Sequence, residues 1–163
     1  MGDAETQRTL PLEDRHVELG GRMVPFAGYS MPIQYVGIKD EHLAVRDNVG
    51  IFDVSHMGEV ELRGPDAIAA INRIVTNDAT KLVDGQAMYT VMCNEDGGIV
   101  DDLLVYRLAD DHVLACVNAS RRDVDFPHMQ AHCTGDVEIA DRSDDYVQLA
   151  VQGPRAVELL QGL

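Results

Sequence analysis

Gly97-Gly98-Ile99-Val100-Asp101-Asp102 sets two adjacent carboxylates behind a glycine turn and ahead of an apolar run, Leu103-Leu104-Val105-Tyr106. Neighbouring side chains on a strand point to opposite faces. If one face of the sheet is covered, Asp101 and Asp102 cannot both reach solvent, and one of them turns inward or into a cleft. An ionised carboxylate taken out of water is costly unless something pairs with it. Such groups serve as bases or as stabilisers of positive charge. Taken by itself, the string is weak evidence, since most such strings are just hairpin turns carrying a solvated carboxylate.

Other residues with chemical potential are weaker on spacing alone. His56 in Ser55-His56-Met57 could act as a base, but no nucleophile stands beside it, and a satisfied polar residue explains it equally. Asp53-Val54-Ser55-His56 holds the residue types of a triad, which only geometry can establish. His128 and His132 stand four apart, as metal ligands on a helix do, but no third ligand is evident and no metal site is expected. Gly20-Gly21 and Gly97-Gly98 match neither dinucleotide nor P-loop spacing.

The elements that must position these residues follow from periodicity and punctuation. Thr9 can cap a short helix with Pro11 and Glu13-Asp14 in its first turn, ended by Gly20-Gly21. Residues 23–35 are apolar but broken by Pro and Gly, which predicts strand and irregular loop. Residues 38–48 carry a helical pattern, and 51–55 and 58–63 read as strands. Pro65 opens a helix over 66–75 with Ile68, Ile71, Ile74 and Val75 on one stripe. Residues 87–93 and 99–108 form a hairpin about Asn94–Gly98, and 112–117 adds a strand. Ser120 can cap a helix running to about His132. Short strands at 137–139 and 146–151 precede a last helix over 155–160. The fold class is α+β: antiparallel sheets with packed helices. Val157, Leu159, Leu160 and Leu163 have few partners left in the chain, which points to the N-terminal portion of a longer protein.

Net charge is -15, with only two lysines, Lys39 and Lys81, against 28 acidic residues. Such a chain repels nucleic acid and anionic lipid, and without tryptophan it lacks a base-stacking surface. The charge fits an ordinary solvated surface or, more sharply, a halophile's cytoplasm, where molar salt shortens the Debye length to about 3 Å. There is no run long enough to span a membrane and no secretory signal at Met1–Gln7. Gly2 followed by Thr6 only loosely suggests lipidation, since Asp3 and Glu5 oppose it. Cys93, Cys116 and Cys133 form no C-x-x-C pair; the odd count fits free thiols in a reducing, cytoplasmic compartment.

Several strings together resemble the aminomethyltransferases of the glycine cleavage system, the T-proteins. They are Thr9-Leu10-Pro11-Leu12 with His16, Gly20 through Tyr35, Phe52-Asp53-Val54-Ser55-His56-Met57-Gly58, Asn94 through Asp102, Asn118-Ala119-Ser120 and Leu149-Ala150-Val151-Gln152-Gly153-Pro154. They occur in the family's order, with Tyr29 where Trp is usual and Arg22 where Lys is usual. The resemblance implies a three-domain folate-binding fold of which residues 1–163 form the N-terminal part. It implies tetrahydrofolate as co-substrate and lipoylated H-protein as partner. The reaction would pass a one-carbon unit from the aminomethyl-lipoyl arm to tetrahydrofolate, giving 5,10-methylenetetrahydrofolate and ammonia.

By the same resemblance Asp102 is the catalytic carboxylate, and Met57, Tyr89, Asp102 and Asn118 line the folate site. A carboxylate near folate N10 can orient that amine, take its proton and stabilise the positive charge on the transferred carbon. Tyr89 would pack on the ligand, Asn118 would hydrogen-bond the pterin edge, and Asp101 would be structural, on the opposite face. Two alternatives share the fold. One is another folate-dependent one-carbon enzyme, acting on dimethylglycine, sarcosine or a sulfoniopropionate. The other is a non-catalytic folate-binding protein of iron–sulfur assembly.

Overall fold

A computed structural model describes residues 7–163; the N-terminal lipidation and signal readings fall almost wholly outside them. In chain order the elements are α1 (Glu13–Glu18), β1 (Met23–Phe26), β2 (Tyr29–Pro32), α2 (Ile38–Asp47), β3 (Gly50–Asp53), β4 (Gly58–Arg63) and α3 (Ala67–Asn72). Then follow β5 (Ala87–Cys93), β6 (Ile99–Ala109), β7 (His112–Val117), α4 (Arg122–His132), β8 (Glu138–Asp141), β9 (Leu149–Gln152) and α5 (Ala156–Gln161). All paired strands run antiparallel, as the α+β expectation has it. The chain divides into two units, one of Met1–His56 with Val147–Leu163 and one of Met57–Tyr146.

The second unit is a five-stranded sheet in the order β5-β6-β7-β4-β8. Its core face carries Val60 and Leu62 of β4, Met92 of β5, Leu103 and Val105 of β6, and Val113, Ala115 and Val117 of β7, all buried. Two helices supply the other side of that core. Ala67, Ala70 and Ile71 of α3 pack there with Ile74 and Val75 beyond it, and Met129 of α4 joins them with Cys133. The apolar stripe expected across 66–75 is thus the buried one, although regular helix ends at Asn72. Covering one face and leaving the other to polar and half-buried residues is the ordinary solution for an antiparallel sheet.

The β5–β6 hairpin turns through Asn94–Gly98. The Asn94 side-chain oxygen accepts the Gly98 N–H at 2.7 Å, and Gly97 takes φ +80°, a conformation glycine adopts without steric cost. A register shift between Met92 and Cys93 sets the strand entry. This hairpin fixes where Asp101 and Asp102 fall.

In the first unit, Met23–Phe26 and Tyr29–Pro32 form a regular hairpin, and residues 33–35 follow it as the irregular loop. Ala27 (φ 48°) and Gly28 (φ 82°) both take positive φ, the requirement of a two-residue turn that matches strand twist. β3 pairs with β9, Gly50 opposite Gln152 and Asp53 opposite Leu149. α2 starts where the Glu41 carboxylate accepts the N–H groups of Tyr35, Val36 and Gly37 at 2.7–2.8 Å. These bonds, led by the one from Gly37, hold the Glu41 carboxyl below its ordinary range.

Both expected hydroxyl caps are absent. α1 begins after Leu12 with no side-chain cap. Thr9 instead lies in a segment tied to the hairpin, Arg8 donating to Gly28 at 2.9 Å and accepting from Ser30 at 2.8 Å. Ser120 sits inside a 3₁₀ turn, Ala119–Arg121, closed by Arg121 N–H to the Asn118 carbonyl at 2.9 Å. α4 therefore starts at Arg122 with no side-chain cap.

Candidate functional site

The alternation read from Gly97-Gly98-Ile99-Val100-Asp101-Asp102 is realised in β6. Asp101 stands opposite Met92, a fully buried core residue, and Asp102 stands opposite Val91. Directly opposed residues in an antiparallel ladder share a face. Asp101 therefore belongs to the helix-covered face and Asp102 to the other. Tyr89 lies two residues from Val91 on β5, opposite Leu104, so it shares the Asp102 face. The residue is 65% exposed.

Asn118 joins the two carboxylates. Its amide nitrogen lies 3.1 and 3.0 Å from the two oxygens of Asp101, 3.1 Å from the Asp102 carbonyl oxygen and 3.3 Å from an Asp102 carboxylate oxygen. Four surrounding acceptors fix the side-chain orientation, because only the NH₂ end can face them. Asn118 follows β7 directly, and the last β7 residue, Val117, pairs with Gly58, the residue after Met57. Met57, Asp102 and Asn118 thus gather at one end of the sheet, with Tyr89 on the neighbouring strand. Asp101 is more than a strand filler: it is the principal acceptor of the Asn118 amide.

Behind the cluster sits Asp125 of α4, which the sequence reading did not single out. It is fully buried, and neither carboxyl oxygen meets an N–H or O–H group. Burial first, then the Asp101 carboxyl beside it and the Asp101 charge, push its pKa up to about 8. Arg121 works against the shift and Asp123 with it; the Arg121 guanidinium also donates to the Val100 carbonyl at 3.0 Å. One signal was present: Asp125, Met129 and Cys133 are spaced by four, and the latter two are core residues. A carboxylate in line with a helix's apolar stripe points inward.

The first unit holds a separate polar network. His16, buried on α1, lies between the Tyr35 hydroxyl at 2.7 Å and the Asp53 carboxylate at 2.8 Å. Burial works against ionisation of Asp53, but hydrogen bonds from Ser55 and His16 outweigh it and hold its pKa down. His56 is not the satisfied polar residue its spacing allowed. Its Nδ1 is buried with no hydrogen-bond partner, its ring stands edge-on to Phe26 and Tyr29 at 5.9 and 6.3 Å, and burial lowers its pKa. Asp53 and His56 do not form a triad: the Asp53 partner is His16.

His128 and His132 stack at 4.2 Å, with His132 Nδ1 2.8 Å from the His128 carbonyl. Among the described residues no group of three or more His, Cys, Asp or Glu is placed to hold a metal ion. Cys93, Cys116 and Cys133 form no disulfide with one another; the last two are buried and Cys93 is half-buried. No helix of the described residues is long and apolar enough to cross a membrane.

An α+β protein with an antiparallel sheet, helices on one face and a two-carboxylate cluster at the sheet end is the class these features define. The chain belongs to the family described as GCVT N-terminal domain, whose pattern matches residues 12–163. Proteins named aminomethyltransferase from Anoxybacillus flavithermus and Bdellovibrio bacteriovorus are 52% and 53% identical over 157 and 153 residues. These matches cover 96% and 93% of this chain. A solved structure, the glycine cleavage system aminomethyltransferase T from Bartonella henselae, matches with TM-score 0.88 at 35% identity over 96% of the chain. The chain spans only 42–43% of the length of these three proteins.

Proposed function

We propose that this chain is the N-terminal, folate-binding part of a glycine cleavage system aminomethyltransferase, with the remaining domains outside residues 1–163. The complete enzyme would take the one-carbon unit from the aminomethyl-lipoyl arm of H-protein and pass it to tetrahydrofolate, releasing ammonia and 5,10-methylenetetrahydrofolate. The observation that carries this reading is the Asp102–Asn118 contact on the same sheet face as the exposed Tyr89 ring, in a chain whose relatives bear that name.

The residues fit such a co-substrate. Tyr89 offers an aromatic surface for a flat heterocycle. Half-buried Met57 can adapt to the ligand's outline. Asn118 keeps its amide nitrogen on the carboxylates, leaving its side-chain oxygen for a ligand donor. Asp102 would accept a hydrogen bond from the reacting amine, hold it at the approaching carbon and take up the proton it loses. A carboxylate already anchored by an amide needs little reorganisation as positive charge develops. Positioning of two carriers supplies much of the remaining acceleration. We place the protein in the cytoplasm, with no nucleic-acid or membrane partner.

The test is tetrahydrofolate binding by calorimetry in molar KCl, comparing the parent with Asp102→Asn. Losing a hydrogen bond to a charged group costs about 1.5–3 kcal/mol, so affinity should fall at least tenfold. Equal affinity in the two proteins overturns the assignment of Asp102. Residues 1–163 alone are expected to give no turnover with H-protein, because the complete site draws on the other domains.

A further inference from the structure

Asp125 has no part in the chemistry proposed for Asp102, yet its setting is demanding. It is fully buried on α4, and no N–H or O–H group of another residue reaches its carboxyl. What lies against it is the carboxyl of Asp101, itself an acceptor, with both oxygens already on the Asn118 amide at 3.0 and 3.1 Å. A fully buried carboxyl with only another carboxyl beside it is costly to ionise, whereas one shared proton converts the repulsion into a strong O–H···O bond.

We infer that Asp125 is a positioning residue, whose carboxyl shares a proton with Asp101 and through Asp101 holds the Asn118 amide against Asp102. The chain of contacts runs from helix to strand to loop and back to the strand: Asp125 to Asp101, Asp101 to Asn118, Asn118 to Asp102. Each link has a consequence. With the proton in place, Asp101 accepts from both sides and stays put. Without it, the buried Asp125 charge repels Asp101, Asp101 is pushed further toward solvent and Asn118 loses its principal acceptor. The groups facing Asp125 are Asp101 from β6, Arg121 from the turn before α4 and Asp123 from α4 itself; only Arg121 favours ionisation. With the Asp125 pKa at about 8, the lock holds at neutral pH and opens as pH rises through that value. The functional consequence, though not the lock itself, rests on the folate reading given above.

The experiment follows the Asn118 side-chain amide signals by NMR as the full chain is titrated, with tetrahydrofolate affinity measured over the same range. In the parent the signals should move with a midpoint near 8. Asp125→Asn, whose carboxamide offers a donor but no titrating proton, should abolish that movement. Asp101→Asn removes the opposing charge, so the movement seen in the parent near 8 should be lost and a carboxyl titration should emerge at lower pH. The affinity of the parent should fall above the midpoint by up to about tenfold per pH unit, the limit for a single proton, and that of Asp125→Asn should not. Asn118 signals that stay still, or that move alike in the parent and Asp125→Asn, overturn the lock. Measurable binding whose pH dependence is the same in both overturns its link to Asp102. If neither protein binds tetrahydrofolate, the folate reading fails, and the amide titration decides the lock by itself.

Discussion

Glu59 shows at the scale of one residue how this fold tolerates a buried acid. It lies on β4 with 2% exposure, and neither carboxyl oxygen has a partner. Burial pushes its pKa up to about 7, Asp141 and Asp144 reinforce this, and Arg122 opposes it. The folded pKa stands above the unfolded one, so the folded state holds the proton more tightly. Stability is therefore greatest below about 4.5 and falls as pH rises to about 7. A rise from 4.5 to about 7 corresponds to about 3 kcal/mol. Glu59→Gln removes that ionisation, and urea unfolding at acid and neutral pH should show the variant gaining on the parent as pH rises. Asp125 contributes a slope of the same sign, so the Glu59 share is the difference between the two proteins. A parent and variant that keep a constant gap would show that Glu59 ionises in the fold as it does in water.

The elements differ in how clearly their residues announce them. β4 stands in the middle of the core, with Val60 and Leu62 buried on one face and Ala115 and Val113 opposite them on β7. Leu62→Ala leaves a void that close-packed neighbours cannot fill, so it should cost about 2–5 kcal/mol in denaturant unfolding. Gly97→Ala should cost much less, about 1 kcal/mol, because the strain is purely of φ and no atom lies within 4 Å of the added carbon. Clean alternation or strong turn chemistry made β4, β5, β7 and the β5–β6 hairpin legible, since both signals are local. The caps at Thr9 and Ser120 misled because a hydroxyl beside a helical pattern says nothing of competing backbone bonds. Arg8 is held by β2, and Asn118 closes a 3₁₀ turn. The pairing of β3 with β9 joins residues 50–53 to 149–152, and no local pattern encodes a partner so distant. The carboxylate pair could be read from the alternation of a strand. The Asn118 clamp could not, because it depends on how the turn before α4 packs on the end of the sheet; the spacing by four with Met129 and Cys133 turned Asp125 inward, but not toward any named neighbour.

At the scale of the whole chain, charge is the dominant physical fact. Net charge is -15, and only 13 basic side chains face 28 acidic ones. Several basic residues are already in local pairs, Arg155 with Glu158 at 2.9 Å and Arg107 with Asp84 at 2.7 Å. Most of the acidic excess therefore repels itself, a term that opposes the folded state and weakens as salt shortens the Debye length from about 10 Å at 0.1 M to about 3 Å at 1 M. The melting temperature should accordingly climb with KCl from low salt to about 1 M and then level off, since screening is nearly complete once the Debye length falls below the spacing of neighbouring charges. Sulfate should continue to raise it beyond that point, because exclusion from apolar surface strengthens burial without limit from screening. A KCl curve that is flat from the start would mean that the acidic surface costs the fold nothing and would remove the physical basis for a halophilic origin. A curve that rises and saturates would tie stability to the screened charge itself.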